Sequence, residues 1–293
     1  MKIGIAQTDA SSVLAAQTAN GVVDLSKAGP WKSVIDVIRD WGAARDKLDA
    51  CTALIPVPVR WLVPIPSPPK FLLLAGNFRA HVVESGFAAL PEDNMTPQFF
   101  MKPASTIIGD GENIPLTDRN VALDYEAEIA VVIGTRIKNA SLEDAARAVW
   151  GYALVNDVSE RKINENFAGR KLRQNDNFFD WLTGKWFDGS APMGPVILTA
   201  DEVADPSPLV LRGLLNGNVV QEAPVSSMVH SIPEAIQYIS KIVTLEPGDV
   251  ISMGTPAGVG LGTGRLLQDG DVFTCEIAEI GRLTNPVKFA AMR

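Results

Sequence analysis

The sequence predicts an α+β, mostly β fold with a mixed sheet, and three observations carry that expectation. Short apolar runs with strand character recur along the chain, among them "LLLAGN", "EIAVVIG", "GDVISMGT" and "GDVFTCEIAEIG". Helical spacing is confined to a few segments. Strands and helices do not alternate in the regular order that a doubly wound parallel sheet needs. A length of 293 residues, 46% of them hydrophobic, can bury a large core and suits a large domain with a small appendage.

Residues 1–66 read as a small N-terminal α/β domain. "KIGIAQ" and "GVVDL" have strand composition. "WKSVIDVIRDWGAARDKL" is helical by the spacing of Val34, Ile35, Val37, Ile38 and Trp41. The four prolines of "VPIPSPPK", residues 63–70, forbid both helix and central strand, so this stretch is an extended connector. The main domain then runs over 67–293. Asn216-Gly217 between apolar flanks in "LLNGNVVQ" marks a hairpin. Ser141 with Asp144 caps a helix over "LEDAARAVW", and Ser231 with Glu234 forms a capping box for "IPEAIQYISKIV".

Composition removes several function classes. The formal charge is -8 and no Lys/Arg-rich run is present, which argues against nucleic acid as a partner. No apolar run reaches about 18 residues, so no membrane span is expected. The opening "MKIGIAQTDASS" lacks the apolar region of a signal peptide. Cys51 and Cys275 are too few for a disulfide framework, which points to a reducing cytoplasm. The two histidines, His81 and His230, exclude a three-His zinc site within one chain.

The chemistry gathers in five places. In "LDYEAEIAVVIG", residues 123–134, Asp124, Glu126 and Glu128 share one face of a strand, because strand side chains alternate. Two carboxylates about 7 Å apart along that face repel unless something positive sits against them. Oxygen-only ligation suits Mg²⁺, Mn²⁺ or Ca²⁺. "YALVNDVSER" ends an apolar strand on Asn156-Asp157, where an acid can add a third ligand. His81 and Glu84 are i and i+3 after a strand, a spacing that lets the carboxylate fix the imidazole and make it a base. Lys185 in "GKWFDGSAPMGPVI" can stabilise developing oxygen charge. The Gly-rich turn "GDVISMGTPAGVG" offers backbone N–H groups and the Thr255 hydroxyl to a carboxylate. It is neither a Walker loop nor a dinucleotide fingerprint. Each signal alone is also what a solvated acid, a turn residue or a surface lysine looks like. His230, with no chemical neighbour in sequence, reads as structural.

Their joint order is specific. N-F-x-x-H-x-x-E, K-P, D-Y-E-x-E, N-D-x-[ST]-x-R, G-K-x-x-D…P-x-G-P and G-T-P-x-G-V-G together resemble the fumarylacetoacetate hydrolase family, in its branch of acylpyruvate hydrolases and hydroxyheptadienedioate isomerases. The resemblance runs from about residue 65 to the C-terminus and more loosely over the N-terminal unit. It implies the family's mixed β-sheet roll and a homodimer. It also implies a divalent metal, usually Mg²⁺ or Mn²⁺, on Glu126, Glu128 and Asp157. Asp124 then lies behind the ligands. His81 and Glu84 match the water-activating pair on a segment, residues 80–96, that orders over the ligand, and Lys185 matches the active-site lysine. Arg161, Thr255 with its neighbour Gly254, and Lys102 match positions that line the substrate. Phe78, Asn164 and Trp186 stand near the ligand end but depart from the family, which more usually has Tyr, Gln and a small residue there. Lys162 is a further departure. Nothing in the sequence assigns a role to 165–184.

The resulting expectation is metal-dependent C–C bond hydrolysis of a small 2,4-dioxo (acylpyruvate-like) carboxylic acid. The intact His81–Glu84 pair favours hydrolysis over an isomerase, tautomerase or decarboxylase acting on a 2-oxo or hydroxymuconate-type diacid. A catalytically silent relative would be expected to have lost His81, Glu84 or Lys185.

Overall fold

The computed structural model describes residues 1–9, 11–18, 21–55, 59–84, 86, 95–117, 122–165, 167–203 and 205–290. Two sheets dominate. The larger has the strand order Gly21–Asp24, Ser12–Thr18, Lys2–Gln7, Ala191–Thr199, Val149–Asn156, Ala127–Ile133, Val250–Ser252, Phe71–Ala75, Gln98–Met101. Most neighbours are antiparallel, but Val250–Ser252 runs parallel to Phe71–Ala75, so the sheet is mixed. The smaller sheet is ordered Asn218–Pro224, Val210–Leu215, Val272–Ile277, Gly281–Phe289, Ile114–Leu116.

The central strand Ala127–Ile133 is buried along its whole length and feeds two cores. Ala127, Ile129, Val131 and Ile133 pack with Phe273, Cys275, Ile277 and Leu283 of the smaller sheet and with the helix Ile232–Ile242. Ala130 and Val132 point the other way, into a cluster with Val34, Val37, Ile38 and Trp150. The period of two therefore delivers apolar side chains to both layers. Ile129→Ala would cost about 2–5 kcal/mol, because so enclosed a site cannot collapse.

The N-terminal strands belong to the same sheet as the main body. Lys2 pairs with Leu198 and Ile3 with Ile197, so the larger sheet continues across the connector at 63–70. Three local expectations change. The N-terminal helix is two helices, Val34–Arg39 and Trp41–Asp49, broken at Asp40, whose carboxylate accepts from Trp31 Nε1 at 3.0 Å. The helix from Leu142 stops at Arg147, because Val149 already opens the strand Val149–Asn156. The segment 165–184 contains the helix Asp176–Thr183, which the sequence reading did not place. The Asn216-Gly217 turn has φ of 51° and 82°, the two positive values that a tight hairpin needs. Among the described residues no helix is long and apolar enough to cross a membrane.

Candidate active site

Sheet register builds the acidic cluster. Ala127 pairs with Asn156 across antiparallel strands, which places Glu126 and Asp157 side by side where the strands end. The Asp157 N–H donates to the Glu126 carbonyl at 2.9 Å, and the Glu126 N–H donates to Asn156 Oδ1 at 2.9 Å. Glu128 follows on the same face. One carboxylate oxygen from each of Glu126, Glu128 and Asp157 lies within 4.8 Å of the others, and all three residues are buried.

Buried carboxylates this close need positive charge. Lys185 Nζ donates to Glu126 and to Asp157, both at 2.6 Å. Lys102 Nζ donates to Asp157 at 2.7 Å and to the carbonyls of Ser190 and Val158 at 2.8 and 3.2 Å. The Arg161 guanidinium reaches Asp124 at 2.9 Å and Glu126 at 2.5 Å. Burial pushes the Glu126 carboxyl up, but Lys185, Arg161 and His81 together hold it well below the usual carboxylate range. Lys185 keeps its proton, since Asp157 and Glu126 outweigh the burial that disfavours its charge.

Glu128 differs. Among the described residues its donors are neutral, the Ser252 hydroxyl at 2.5 Å and the Gly254 N–H at 3.1 Å. Burial, followed by the charges of Asp157 and Glu126, pushes its carboxyl well up. In this cluster four carboxylates, counting Asp124, face three cations. The donor set is hard oxygen, and a divalent cation held by Glu126, Glu128 and Asp157 fits it, because it would offset the burial and like charge that disfavour an ionised Glu128.

The pair expected from sequence is present. His81 Nδ1 lies 3.0 Å from Glu84 Oε1 on the helix Arg79–Glu84. Glu84 also accepts from the Gly258 N–H at 2.8 Å and the Val259 N–H at 3.5 Å. Burial opposes the charge of Glu84, but His81 and these backbone donors hold its carboxyl below its ordinary value. An ionised carboxylate only accepts, so Nδ1 carries a proton and the Nε2 of a neutral ring can act as a base. Residues 85 and 87–94 of the segment expected to order over the ligand lie outside the described residues.

The Gly-rich turn does bind carboxylates, and they are the protein's own. Glu84 takes Gly258 and Val259, while Asp124 takes the Gly260 and Leu261 N–H groups at 2.6 and 3.1 Å. The Thr255 hydroxyl donates to the Ala127 carbonyl at 2.9 Å and accepts from Gln221 at 2.8 Å. Gly254, with φ of 87°, brings its N–H to Glu128.

The segment 161–185 begins and ends in the acidic cluster, on Arg161 and Lys185. Between them Asp180 accepts from Asn164 at 2.6 Å and from both terminal nitrogens of Arg170 at 2.6 and 2.7 Å. Asn164 is thereby engaged in closing this segment. Trp181 packs edge-on against Phe100 at 5.1 Å, and the Lys185 ammonium lies 5.6 Å from the Phe100 ring and 5.9 Å from the Trp181 ring. Trp186 is partly exposed and donates to the Met101 carbonyl at 2.7 Å. Phe78 is buried and bridges to Met228, beside Asn77, which donates to the carbonyls of His230 and Met253 at 3.1 and 2.9 Å. Sequence reasoning gave Asn77 no role beyond its place in the N-F-x-x-H-x-x-E motif and assigned none to Trp181 or Asp180, because none of their partners is a neighbour in sequence.

A β roll that carries a buried carboxylate triad able to hold a divalent cation, two lysines and a histidine–glutamate pair defines the class of protein. The chain belongs to the fumarylacetoacetate (FAA) hydrolase C-terminal domain family, which matches residues 70–288. The mitochondrial oxaloacetate tautomerase FAHD2A of Bos taurus is 36% identical over 276 residues, spanning 91% of this chain and 84% of that protein. The structure of a fumarylacetoacetate hydrolase from Exiguobacterium antarcticum superposes with a TM-score of 0.83 at 31% identity, covering 99% of this chain and 100% of that one. A maleylpyruvate hydrolase from Sphingobium sp. SYK-6, in complex with manganese (II) and pyruvate, superposes with a TM-score of 0.77 at 27% identity, over 99% and 100% of the two chains.

Proposed function

We propose that this protein is a divalent-metal-dependent enzyme that moves a proton at C3 of a small 2-oxo dicarboxylic acid, interconverting its keto and enol forms, with oxaloacetate the first candidate. The observation that supports the reading is the buried triad against Lys185, with the His81–Glu84 pair held by the same Gly-rich turn that holds Asp124. A cation on Glu126, Glu128 and Asp157, Mg²⁺ or Mn²⁺ before Ca²⁺, supplies polarisation of the C2 carbonyl and so lowers the cost of an enolate. His81 Nε2 takes the C3 proton, with the ring held by Glu84. Lys185 donates to the oxygen on which charge develops. Lys102 fixes Asp157, and Arg161 fixes Glu126. The tautomerase name of the bovine relative, matched over nearly the whole chain, favours proton transfer over bond cleavage.

The second reading is C–C hydrolysis of an acylpyruvate. The same imidazole aimed at a water is what that reaction needs, and the maleylpyruvate hydrolase neighbour keeps the reading in play. The family resemblance further suggests a homodimer, which sedimentation would read directly.

The deciding experiment follows ultraviolet absorbance with Mg²⁺ or Mn²⁺ on enol-oxaloacetate, acylpyruvates, fumarylpyruvate and hydroxymuconate-type diacids. Faster decay of enol-oxaloacetate without release of a cleavage product supports tautomerisation. Stoichiometric acid release from an acylpyruvate, with enol-oxaloacetate decaying at its uncatalysed rate, replaces it with hydrolysis.

A further inference from the structure

We infer that Gly262 is a positioning residue for the His81–Glu84 pair, because the space left by its missing side chain is where the Glu84 carboxylate lies. The inference rests on the reading of that pair as the base, and part of its test needs no substrate.

The glycines of "GVGLGTG" are required for different reasons. Gly258 has φ of 105°, and a Cβ there would sit 1.9 Å from the Val220 carbonyl oxygen, so the backbone demands glycine. A Cβ on Gly260 would meet Asp124 Oδ1 at 2.6 Å and the Arg265 carbonyl oxygen at 2.7 Å. Gly262 stands in the short helix Gly260–Thr263 and is not among the positive-φ glycines. The three atoms nearest to a Cβ there all belong to Glu84: Oε2 at 2.6 Å, Cδ at 2.9 Å and Cγ at 3.0 Å.

Two consequences follow from that contrast. The obstacle to a side chain at 262 is the end of a flexible side chain, so an alanine is accommodated by moving Glu84. Alanine is also a better helix former than glycine, which offsets part of what the displaced Glu84 loses. The carboxylate cannot hold its place on the Gly258 N–H and on His81 Nδ1 once a methyl group fills the gap. Gly262→Ala therefore acts on His81 through Glu84, and its effect disappears where Glu84 is already changed, which a purely structural glycine would not show.

The test is a four-corner cycle of wild type, G262A, E84Q and E84Q/G262A, each loaded with Mg²⁺. The chain has two histidines, so imidazole proton resonances report on His81 directly, with His230→Gln giving the assignment. The expected result is that G262A moves the His81 resonances as E84Q does, and that the double variant matches E84Q. On the proposed substrate, G262A should lower kcat by about tenfold or more with KM within about threefold, and should cost less than about twofold further in the E84Q background. G262A should still unfold in a single cooperative transition, with a melting temperature within about 5 °C of wild type. Unmoved His81 resonances in G262A, or an equal loss of turnover with and without Glu84, would overturn the inference. If the wild-type enzyme acts on none of the 2-oxo acids, the functional reading falls, and the resonance cycle still decides Gly262.

Discussion

Glu126 meets two cations at once, Lys185 on one oxygen and Arg161 on the other. Glu126→Gln keeps the size of the side chain but removes the charge that both cations and a metal require. Arg161 retains Asp124 and Lys185 retains Asp157, so neither buried cation is stranded, and the large penalty for an unpaired buried charge is avoided. The variant should fold with an unchanged circular dichroism spectrum, bind Mn²⁺ at least about tenfold more weakly by calorimetry, and lose turnover. Activity that survives both EDTA and Glu126→Gln would remove the metal from the mechanism. The residue-level site was legible where spacing is local: E-x-E has the period of a strand, and His81 with Glu84 the period of a helix turn. It was not legible where partners come from sheet pairing. Nothing around Arg161 in sequence announces Asp124, and nothing near Gly262 announces Glu84.

At the scale of elements, the central strand Ala127–Ile133 was readable because an acidic start followed by unbroken apolar residues fits a strand buried on both faces. The helix Asp176–Thr183 was not, because its polar and aromatic residues follow an interior that the sequence hides. Asp176 accepts from the Arg173 N–H, Asp180 is tied to Arg170, and Trp181 and Leu182 pack against the core. The ends of this segment are joined by the Glu160 N–H donating to the Gly184 carbonyl at 2.9 Å, and within it Asp180 ties Asn164 to Arg170. Asp180→Ala should raise hydrogen exchange across 164–184 while Val149–Asn156 and Ala191–Thr199 keep their protection. Turnover should fall by about tenfold or more as Lys185 loses its place, since small misplacements of a positioned group are costly. Unchanged exchange in 164–184 would show that the tie does not order the segment.

At the scale of the molecule, the fold brings together groups separated by more than a hundred residues. The helix Arg79–Glu84, the residues at 126–128 and 156–157 and the Gly-rich turn after Ser252 all follow or precede interior strands of the larger sheet at the same end of those strands, where Lys185 joins them. The family's β roll was legible because its motifs are conspicuous. The continuity of the N-terminal strands with that sheet was not, because pairing of Lys2–Gln7 with Ala191–Thr199 leaves no local trace. This architecture supports both proton transfer at carbon and attack by water, and the base discriminates between them. If His81 acts on C3, His81→Ala should lower the decay of enol-oxaloacetate by about 10²-fold or more while leaving Mn²⁺ affinity intact. Glu84→Ala should match it within about tenfold, because the two act as a unit. If His81 acts on water instead, His81→Ala should retain metal-dependent exchange of C3 protons in a 2-oxo acid and lose only C–C cleavage. Deuterium exchange followed by NMR, run beside the ultraviolet assay, separates these cases. Exchange lost together with tautomerisation assigns His81 to carbon, exchange kept while cleavage is lost assigns it to water, and wild-type rates in both assays would remove His81 from the reaction.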